Sequence, residues 1–144
     1  MQRVNGLHHI TAIAGPAQEN LDFYAGILGM RLVKQSVNQD DPGTYHLFYA
    51  DADGHPGADL TFFSWAELAL PRLGHGLAVE VGLEVPAGSL DYWKARLGRY
   101  GVRMGAVETR FGDTVLPVVD PPHLQMRPSA LRWSLACAGS NGPD

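Results

Sequence analysis

The sequence predicts an α+β fold made of two copies of one β-α-β-β-β module. The prediction rests on a repeated helix motif, a short alternating segment before each copy, and period-two segments after it. The motif appears as Asn20 to Tyr24 and again as Ser89 to Trp93, and each copy runs on to a Leu-Gly pair. We assign module 1 to residues 6–64 and module 2 to residues 77–128 of a single domain, whose curved sheets are expected to enclose a cleft.

The helix of module 1 is indicated by its apolar spacing. Four apolar side chains recur at i, i+3, i+4 and i+7 and form one stripe: Leu21, Tyr24, Ala25 and Leu28. Pro16 suits the start of this helix, and Gly29 suits its end. Segments with period two, typical of strands, lie at residues 9–14, 31–37, 45–49 and 59–63.

Module 2 repeats the pattern. Its first strand is predicted over residues 80–85, and Ser89 is the expected N-cap of a helix whose stripe is Leu90, Trp93 and Leu97. Further strands are predicted at residues 102–107, 114–119 and 124–127. Residues 64–77 form the predicted linker, and the chain from Ser129 onward is expected to be a loosely ordered tail.

Composition and charge narrow the classes of function. The chain is 45% hydrophobic and 18% charged, with a net charge of −4, which is a globular composition. An acidic protein lacks the positive field that nucleic acids and anionic membranes attract, so neither is expected as a partner. The single cysteine, Cys137, excludes an internal disulfide and favours a cytoplasmic location. We interpret Cys137 as incidental, because no base lies near it in the sequence.

Several motifs resemble the vicinal oxygen chelate superfamily, which contains glyoxalases, bleomycin-resistance proteins and extradiol dioxygenases. The general motifs are Leu7-His8-His9-Ile10-Thr11, the helix from Glu19 to Tyr24, and Leu28-Gly29-Met30-Arg31-Leu32-Val33. The segments 41–47 and 86–93 resemble its hydroquinone-type ring-cleaving dioxygenases. Members of that subgroup have four modules, and this sequence is similar to their first half.

The resemblance implies a mononuclear Fe(II) or Mn(II) site with two histidine ligands and one carboxylate, which binds a dihydroxylated aromatic and O₂. The family's first metal ligand falls on His9, and its neighbour His8 is then expected close to the substrate, in a catalytic role. The family's remaining ligands lie in the last module and have no counterpart in this sequence.

We also asked whether two modules alone could build a metal site. In two-module relatives the ligands come from the first and last strands of each module, which here carry His9, Thr61, Glu80 and Arg127. Threonine is a poor ligand at neutral pH, and a guanidinium repels a cation. Two hypotheses remain for Glu80. It is a metal ligand with His9, or it pairs with Arg127 and so blocks the position that a metal would otherwise occupy.

Strand alternation places His9 and Thr11 on one sheet face, and we expect the helix to cover the other face. His46, on a later strand, is a candidate catalytic residue that contacts substrate or relays a proton; the alternative is a half-buried strand histidine. Aromatic side chains could line a pocket or simply form core, namely Tyr45, Tyr49, Phe62, Phe63 and Trp65.

Three functions remain open from the sequence. The chain is a subunit or part of a ring-cleaving dioxygenase with a small aromatic substrate and O₂, completed by a homodimer partner or by a complementary second half. Alternatively, it is a metal-free small-molecule-binding module of the same superfamily, similar to the resistance proteins. It could also be an inactive remnant.

Overall fold

The computed structural model of the 144-residue chain describes residues 3–4, 6–66, 75–76, 78, 80–119 and 132–137. The chain divides into two compact units, and each holds one mixed sheet. The described residues contain no helix with the length and apolar character needed to cross a membrane.

Unit 1 is one β-α-β-β-β module. Strand β1 (His9–Ala14) leads to helix α1 (Ala17–Leu21), which continues as a π-helical segment (Asp22–Ile27). Strands β2 (Arg31–Val37), β3 (Tyr45–Ala50) and β4 (Asp59–Ser64) follow. The sheet order is β1-β4-β3-β2, with β1 parallel to β4 and the other neighbours antiparallel. The predicted α+β module is therefore confirmed here.

The first helix buries a different face from the one that the sequence predicts. It continues as a π-helical segment, in which the backbone N–H of Leu28 donates to the carbonyl of Phe23, five residues earlier, at 2.9 Å. The buried side chains are Asn20, Phe23, Tyr24 and Leu28. Two members of the predicted stripe, Leu21 and Ala25, are only half-buried.

Aromatic contacts show which sheet face the helix covers. The Tyr24 ring lies 4.5 Å from the Phe62 ring and 5.3 Å from the Tyr49 ring, measured between centroids. Phe62 and Tyr49 therefore belong to the helix-covered core, as the prediction of sheet faces requires. We call the opposite side of the sheet the His46 face; it carries His9, Thr11, His46, Phe48, Thr61 and Phe63.

Unit 2 repeats the strand order of unit 1. It contains β5 (Glu80–Glu84), α2 (Leu90–Arg99), β6 (Arg103–Met104), β7 (Glu108–Arg110), β8 (Asp113–Val119) and β9 (Arg132–Cys137). The sheet order is β5-β9-β8-β6, and β7 pairs with β8. Strand β5 is parallel to β9, as β1 is parallel to β4. The internal repeat is thus visible in the topology as well as in the sequence.

Two predictions for unit 2 need correction. The strand expected at residues 102–107 is present only as the short β6, and a separate short strand that was not predicted, β7, begins after a gap of three residues. The final strand expected at residues 124–127 lies outside the described residues, and β9 forms from a segment that was assigned to the tail. Leu135 and Cys137 on β9 are 2% and 4% exposed. Small residues on this segment, Ser134, Ala136 and Cys137, weakened the alternating pattern, so the strand was missed.

Helix α2 begins where the sequence predicts, with Ser89 at the N-cap position. The Ser89 hydroxyl makes no capping hydrogen bond and is buried without a partner among the described residues. Burial of Leu90 and Leu97 anchors the helix instead.

Candidate functional site

The His46 face presents a row of aromatic rings with an imidazole at its centre. The His46 ring lies 4.0 Å from the Phe48 ring and 4.1 Å from the Phe63 ring, between centroids. The register explains both contacts, because Phe63 pairs directly with His46 across the strands and Phe48 lies two residues further along β3. Lys34 places its ammonium 5.1 Å from the Phe48 centroid, in cation–π range.

A chain of hydroxyl groups continues from His46 across the sheet. Nε2 of His46 is 3.1 Å from Oγ1 of Thr61, and that hydroxyl donates to Oγ1 of Thr11 at 2.9 Å. The Thr61 side chain is fully buried, with 0% exposure, so its hydroxyl needs a protein partner. The three side chains therefore form one continuous polar path over β3, β4 and β1.

Electrostatics keep His46 neutral. Burial lowers its pKa, and the positive charges of His9 and Lys34 lower it further. At neutral pH the imidazole therefore has one protonated and one bare ring nitrogen. A neutral imidazole can accept a proton or a hydrogen bond from a hydroxyl group, as the predicted catalytic role requires.

The predicted metal ligand His9 and its neighbour His8 contact each other directly. Their Nδ1 atoms are 3.0 Å apart, and both side chains are exposed. One of these nitrogens must carry the proton, because two bare nitrogens cannot form a hydrogen bond. The contact leaves Nε2 of His9 as its other potential ligand atom. A hydrogen bond at the second ring nitrogen is the usual way to orient a metal-binding histidine.

The loop before β3 fixes the far end of the aromatic row. Oδ2 of Asp41 accepts hydrogen bonds from the Thr44 hydroxyl at 2.5 Å and from the Trp65 indole N–H at 2.8 Å. These bonds lower the pKa of Asp41, with Thr44 as the larger cause. Trp65 in turn lies 5.5 Å from the Phe63 ring. The dioxygenase-like segment 41–47 thus positions Trp65 next to the row.

Glu80, the second predicted metal ligand, is paired with Arg110. Nη1 of Arg110 donates to Oε1 of Glu80 at 2.5 Å, and its Nη2 contacts Glu108. The predicted partner Arg127 lies outside the described residues. The backbone register places Arg132 opposite Glu80, so the strand equivalence that led to Arg127 was wrong. Any metal at Glu80 would have to share the carboxylate with a guanidinium.

The donor set determines whether the described residues fit an Fe(II) or Mn(II) site. Within the described ranges, no three His, Cys, Asp or Glu side chains come together as a potential metal-binding group. A site with two histidines and one carboxylate needs three such donors on one side of the metal. The described residues therefore do not fit a complete site, and His9 and Glu80 remain predictions as ligands.

Two side chains lie apart from these clusters, one in the loop after β3 and one on β9. His55 donates from Nδ1 to Oδ2 of Asp51 at 2.7 Å, on the surface of unit 1. The Sγ atom of Cys137 is buried and lies 3.5 Å from the carbonyl oxygen of Pro86. No base adjoins it among the described residues, consistent with an incidental thiol.

Sequence reasoning missed one central residue in each of two clusters: Phe48 in the aromatic row and Arg110 in the charged cluster of unit 2. Phe48 was not among the predicted pocket aromatics, although its position two residues after His46 on a strand indicates a shared face. Arg110 was not considered as a partner for Glu80, because it lies on β7, a short strand that the sequence pattern did not predict. Of the predicted aromatics, Phe63 and Trp65 belong to the row, whereas Tyr49 and Phe62 are core.

Comparison with known proteins identifies the family. Residues 6–114 match the model of the Glyoxalase/Bleomycin resistance protein/Dioxygenase superfamily, which is more than half of the chain. The chain belongs to this superfamily. The fold of this chain is also similar to the crystal structure of a "putative dioxygenase" from Bacillus subtilis, with a TM-score of 0.84 and 40% sequence identity. That match covers 96% of this chain and 42% of the other.

Within the superfamily, the chain is similar to ring-cleaving dioxygenases. It is 46% identical over 125 residues to "Putative ring-cleaving dioxygenase MhqO" of Bacillus subtilis, covering 87% of this chain and 40% of that protein. It is 34% identical over 122 residues to a chlorohydroquinone/hydroquinone 1,2-dioxygenase of Sphingobium indicum, covering 83% and 38%. The chain therefore spans about two fifths of the length of these relatives.

Proposed function

We propose that this chain is part of, or a subunit of, a ring-cleaving dioxygenase that acts on dihydroxylated aromatic compounds. The observation that carries the proposal is the identity of 46% to a relative named as a ring-cleaving dioxygenase, which extends over 87% of the chain. The relative named for chlorohydroquinone and hydroquinone suggests a hydroquinone as the substrate class. In such a reaction both atoms of O₂ enter the product and one ring C–C bond breaks, so no external reductant is needed.

The His46 face gives this proposal a physical basis within unit 1. Phe48 and Phe63 present rings that can stack with a planar aromatic, and stacked or edge-on aromatic pairs stabilise a complex beyond simple area burial. His9 is exposed and shares this face with His46. We propose His9 as one ligand of an Fe(II) or Mn(II) ion that would bind the substrate oxygens and O₂, and we place His8 beside it as an orienting neighbour.

The proposed metal site needs further ligands besides His9. Because the described residues supply no group of three donors, the other ligands would come from elsewhere in the assembled protein. A second copy of the chain or a complementary second half are the candidate sources, and Glu80 contributes only if it leaves Arg110. No reaction step is assigned to His8 or His46 through the metal.

Metal binding and oxygen uptake test the proposal on the full chain. When a second copy of the chain supplies the missing ligands, anaerobic loading with Fe(II) should give stoichiometric iron, and addition of hydroquinone should give O₂ consumption. His9→Ala should abolish both, whereas the matched control His75→Ala, at an exposed position, should leave both intact. Stoichiometric metal in His9→Ala would place the site elsewhere, and loaded protein without O₂ consumption would refute the enzymatic proposal for this chain.

A metal-free binding module is the second candidate function. It is favoured because the described residues contain no group of three potential metal ligands. In this case hydroquinone would bind the His46 face in the presence of a chelator, and no O₂ would be consumed after iron loading. Equal hydroquinone affinity with and without the chelator, together with absent turnover, distinguishes this function from the enzyme.

A further inference from the structure

The hydrogen-bond path on the His46 face determines which nitrogen of His46 carries its proton. A threonine hydroxyl has one proton to donate, and Oγ1 of Thr61 lies 2.9 Å from Oγ1 of Thr11 and 3.1 Å from Nε2 of His46, so it donates along only one of these contacts. When Thr61 donates to Thr11, it can only accept at its contact with His46, and Nε2 of His46 is then the donor. In the neutral imidazole the second nitrogen, Nδ1, is then bare.

Nδ1 of His46 has no hydrogen-bond partner in the part of the chain that the structure describes. The ring is half-buried and flanked by Phe48 and Phe63, which provide no polar group. An acceptor in apolar surroundings gains most from a ligand that brings its own donor, because leaving such a group unpaired is costly. A flat ligand with a hydroxyl group satisfies both the nitrogen and the rings.

We propose that Thr61 and Thr11 hold His46 in its Nε2–H tautomer, so that Nδ1 accepts a hydrogen bond from the hydroxyl group of an aromatic ligand stacked beside Phe48 and Phe63. Thr61 and Thr11 are positioning residues in this scheme, and His46 contacts the ligand. The choice of a hydroxylated aromatic as ligand rests on the proposed function. The tautomer and its cause rest on the distances among the three side chains and on the direction of the Thr61–Thr11 hydrogen bond, not on the proposed function.

Nitrogen NMR on the full chain tests the tautomer without metal or substrate. With ¹⁵N-labelled histidine, at a pH where the ring is neutral, long-range ¹H–¹⁵N correlations show which nitrogen is protonated, and the His46→Phe spectrum assigns the signal. We expect the proton on Nε2. A proton on Nδ1 in the unaltered chain would overturn the proposal.

Variants of Thr61 test what fixes the tautomer. Thr61→Val has nearly the same shape but no acceptor, so we expect a mixture of His46 tautomers, whereas Thr61→Ser should keep the Nε2–H form. Thr109→Val, at an exposed strand position of unit 2, is the matched control. A single unchanged tautomer in Thr61→Val would show that Thr61 does not fix the ring.

Ligand binding tests the acceptor role, again in metal-free protein. Hydroquinone carries hydroxyl donors, and 1,4-dimethoxybenzene has a similar ring but no donor. We expect hydroquinone to shift the Nδ1 resonance and to bind roughly fivefold more tightly than the ether, the effect of about one hydrogen bond. His46→Phe retains an aromatic ring and should lose this preference.

The outcomes separate this inference from the proposed function. Equal affinity for the two probes in the unaltered chain, or an undiminished preference in His46→Phe, would refute the acceptor site. Nε2–H His46 that binds hydroquinone in a chain without oxygenase activity would leave the inference standing while the enzymatic proposal fails.

Discussion

The guanidinium of Arg110 lies 2.5 Å from a carboxylate oxygen of Glu80 and also contacts Glu108, so one cation joins two acidic strand residues in unit 2. The three side chains are between 26% and 44% exposed, so solvent weakens the attraction between the guanidinium and the carboxylates without removing it. The carboxylate that the repeat suggested as a metal ligand is thus neutralised by a cation from β7.

Loss of Arg110 should destabilise unit 2. In Arg110→Met the apolar stem is retained, but Glu80 and Glu108 remain as two nearby negative charges, so we expect a lower denaturation midpoint. A double-mutant cycle with Glu80→Gln, followed by urea denaturation, measures the coupling. The effects of the two substitutions should be less than additive. Full additivity would mean that the ion pair does not contribute to stability.

The Asp51–His55 pair should make the loop after β3 sensitive to pH. The hydrogen bond to His55 lowers the pKa of Asp51 to about 2, and the same contact raises the pKa of His55. The stabilisation from Asp51 is present above its unfolded pKa and is lost as pH falls through about 2. The stabilisation from His55 is full below its unfolded pKa and is lost as pH rises through its raised folded pKa.

The loop is therefore expected to be most stable at mildly acidic pH, between the unfolded pKa values of the two groups. An NMR titration of His55 should give a pKa above its ordinary value, and Asp51→Asn should bring it back down. An unchanged His55 titration in Asp51→Asn would show that the pair does not exist in solution.

Two glycines of the first helix region should respond in opposite directions to alanine. Gly29 has a φ of +75°, a conformation that costs an L-residue about 1 kcal/mol, so Gly29→Ala should lower the free energy of unfolding by that amount. Gly26 lies within the π-helical segment with no atom within 4 Å of an added Cβ. Gly26→Ala should stabilise the protein by about 0.5 kcal/mol. Urea denaturation measures both; equal effects would contradict the assigned helix end.

Phe111 occupies an unfavourable turn position. It has a φ of 52° in the two-residue turn between β7 and β8, and its side chain is fully exposed. Because such turns favour asparagine and the ring has no packing to lose, Phe111→Asn should raise the melting temperature by about 3 °C. A lowered melting temperature would indicate that the ring makes stabilising contacts in solution.

The sequence was sufficient for the repeat because strand and helix periods recur with the same spacing in both modules. It could not locate the π-helical turn, since one wider turn leaves no mark on composition, and it did not predict the buried position of the polar Asn20. Nor could it locate β9, where small residues such as Ser134 and Ala136 leave little alternation between apolar and polar side chains. Because β9 was missed, the last strand of module 2 was predicted several residues too early, and Arg127 was matched with Glu80.

For the site, sequence patterns indicated His46 and its face but not its environment. Alternation shows which side chains share a face, whereas the contacts between Thr61, Thr11 and His46 depend on the register of three strands. That register is set by pairing between distant segments, so no local pattern contains it. Likewise, the Asp41–Trp65 hydrogen bond joins residues that are far apart in the sequence.

Oxygen-isotope labelling tests the proposed ring cleavage most directly. The full chain, loaded anaerobically with Fe(II), would be given hydroquinone and ¹⁸O₂, and the product analysed by mass spectrometry. We predict a ring-opened product that carries ¹⁸O in its new carboxylate, formed by the unaltered chain and by His75→Ala but not by His9→Ala. Recovery of intact hydroquinone from iron-loaded protein, or a ring-opened product without any ¹⁸O, would contradict the proposed dioxygenase activity.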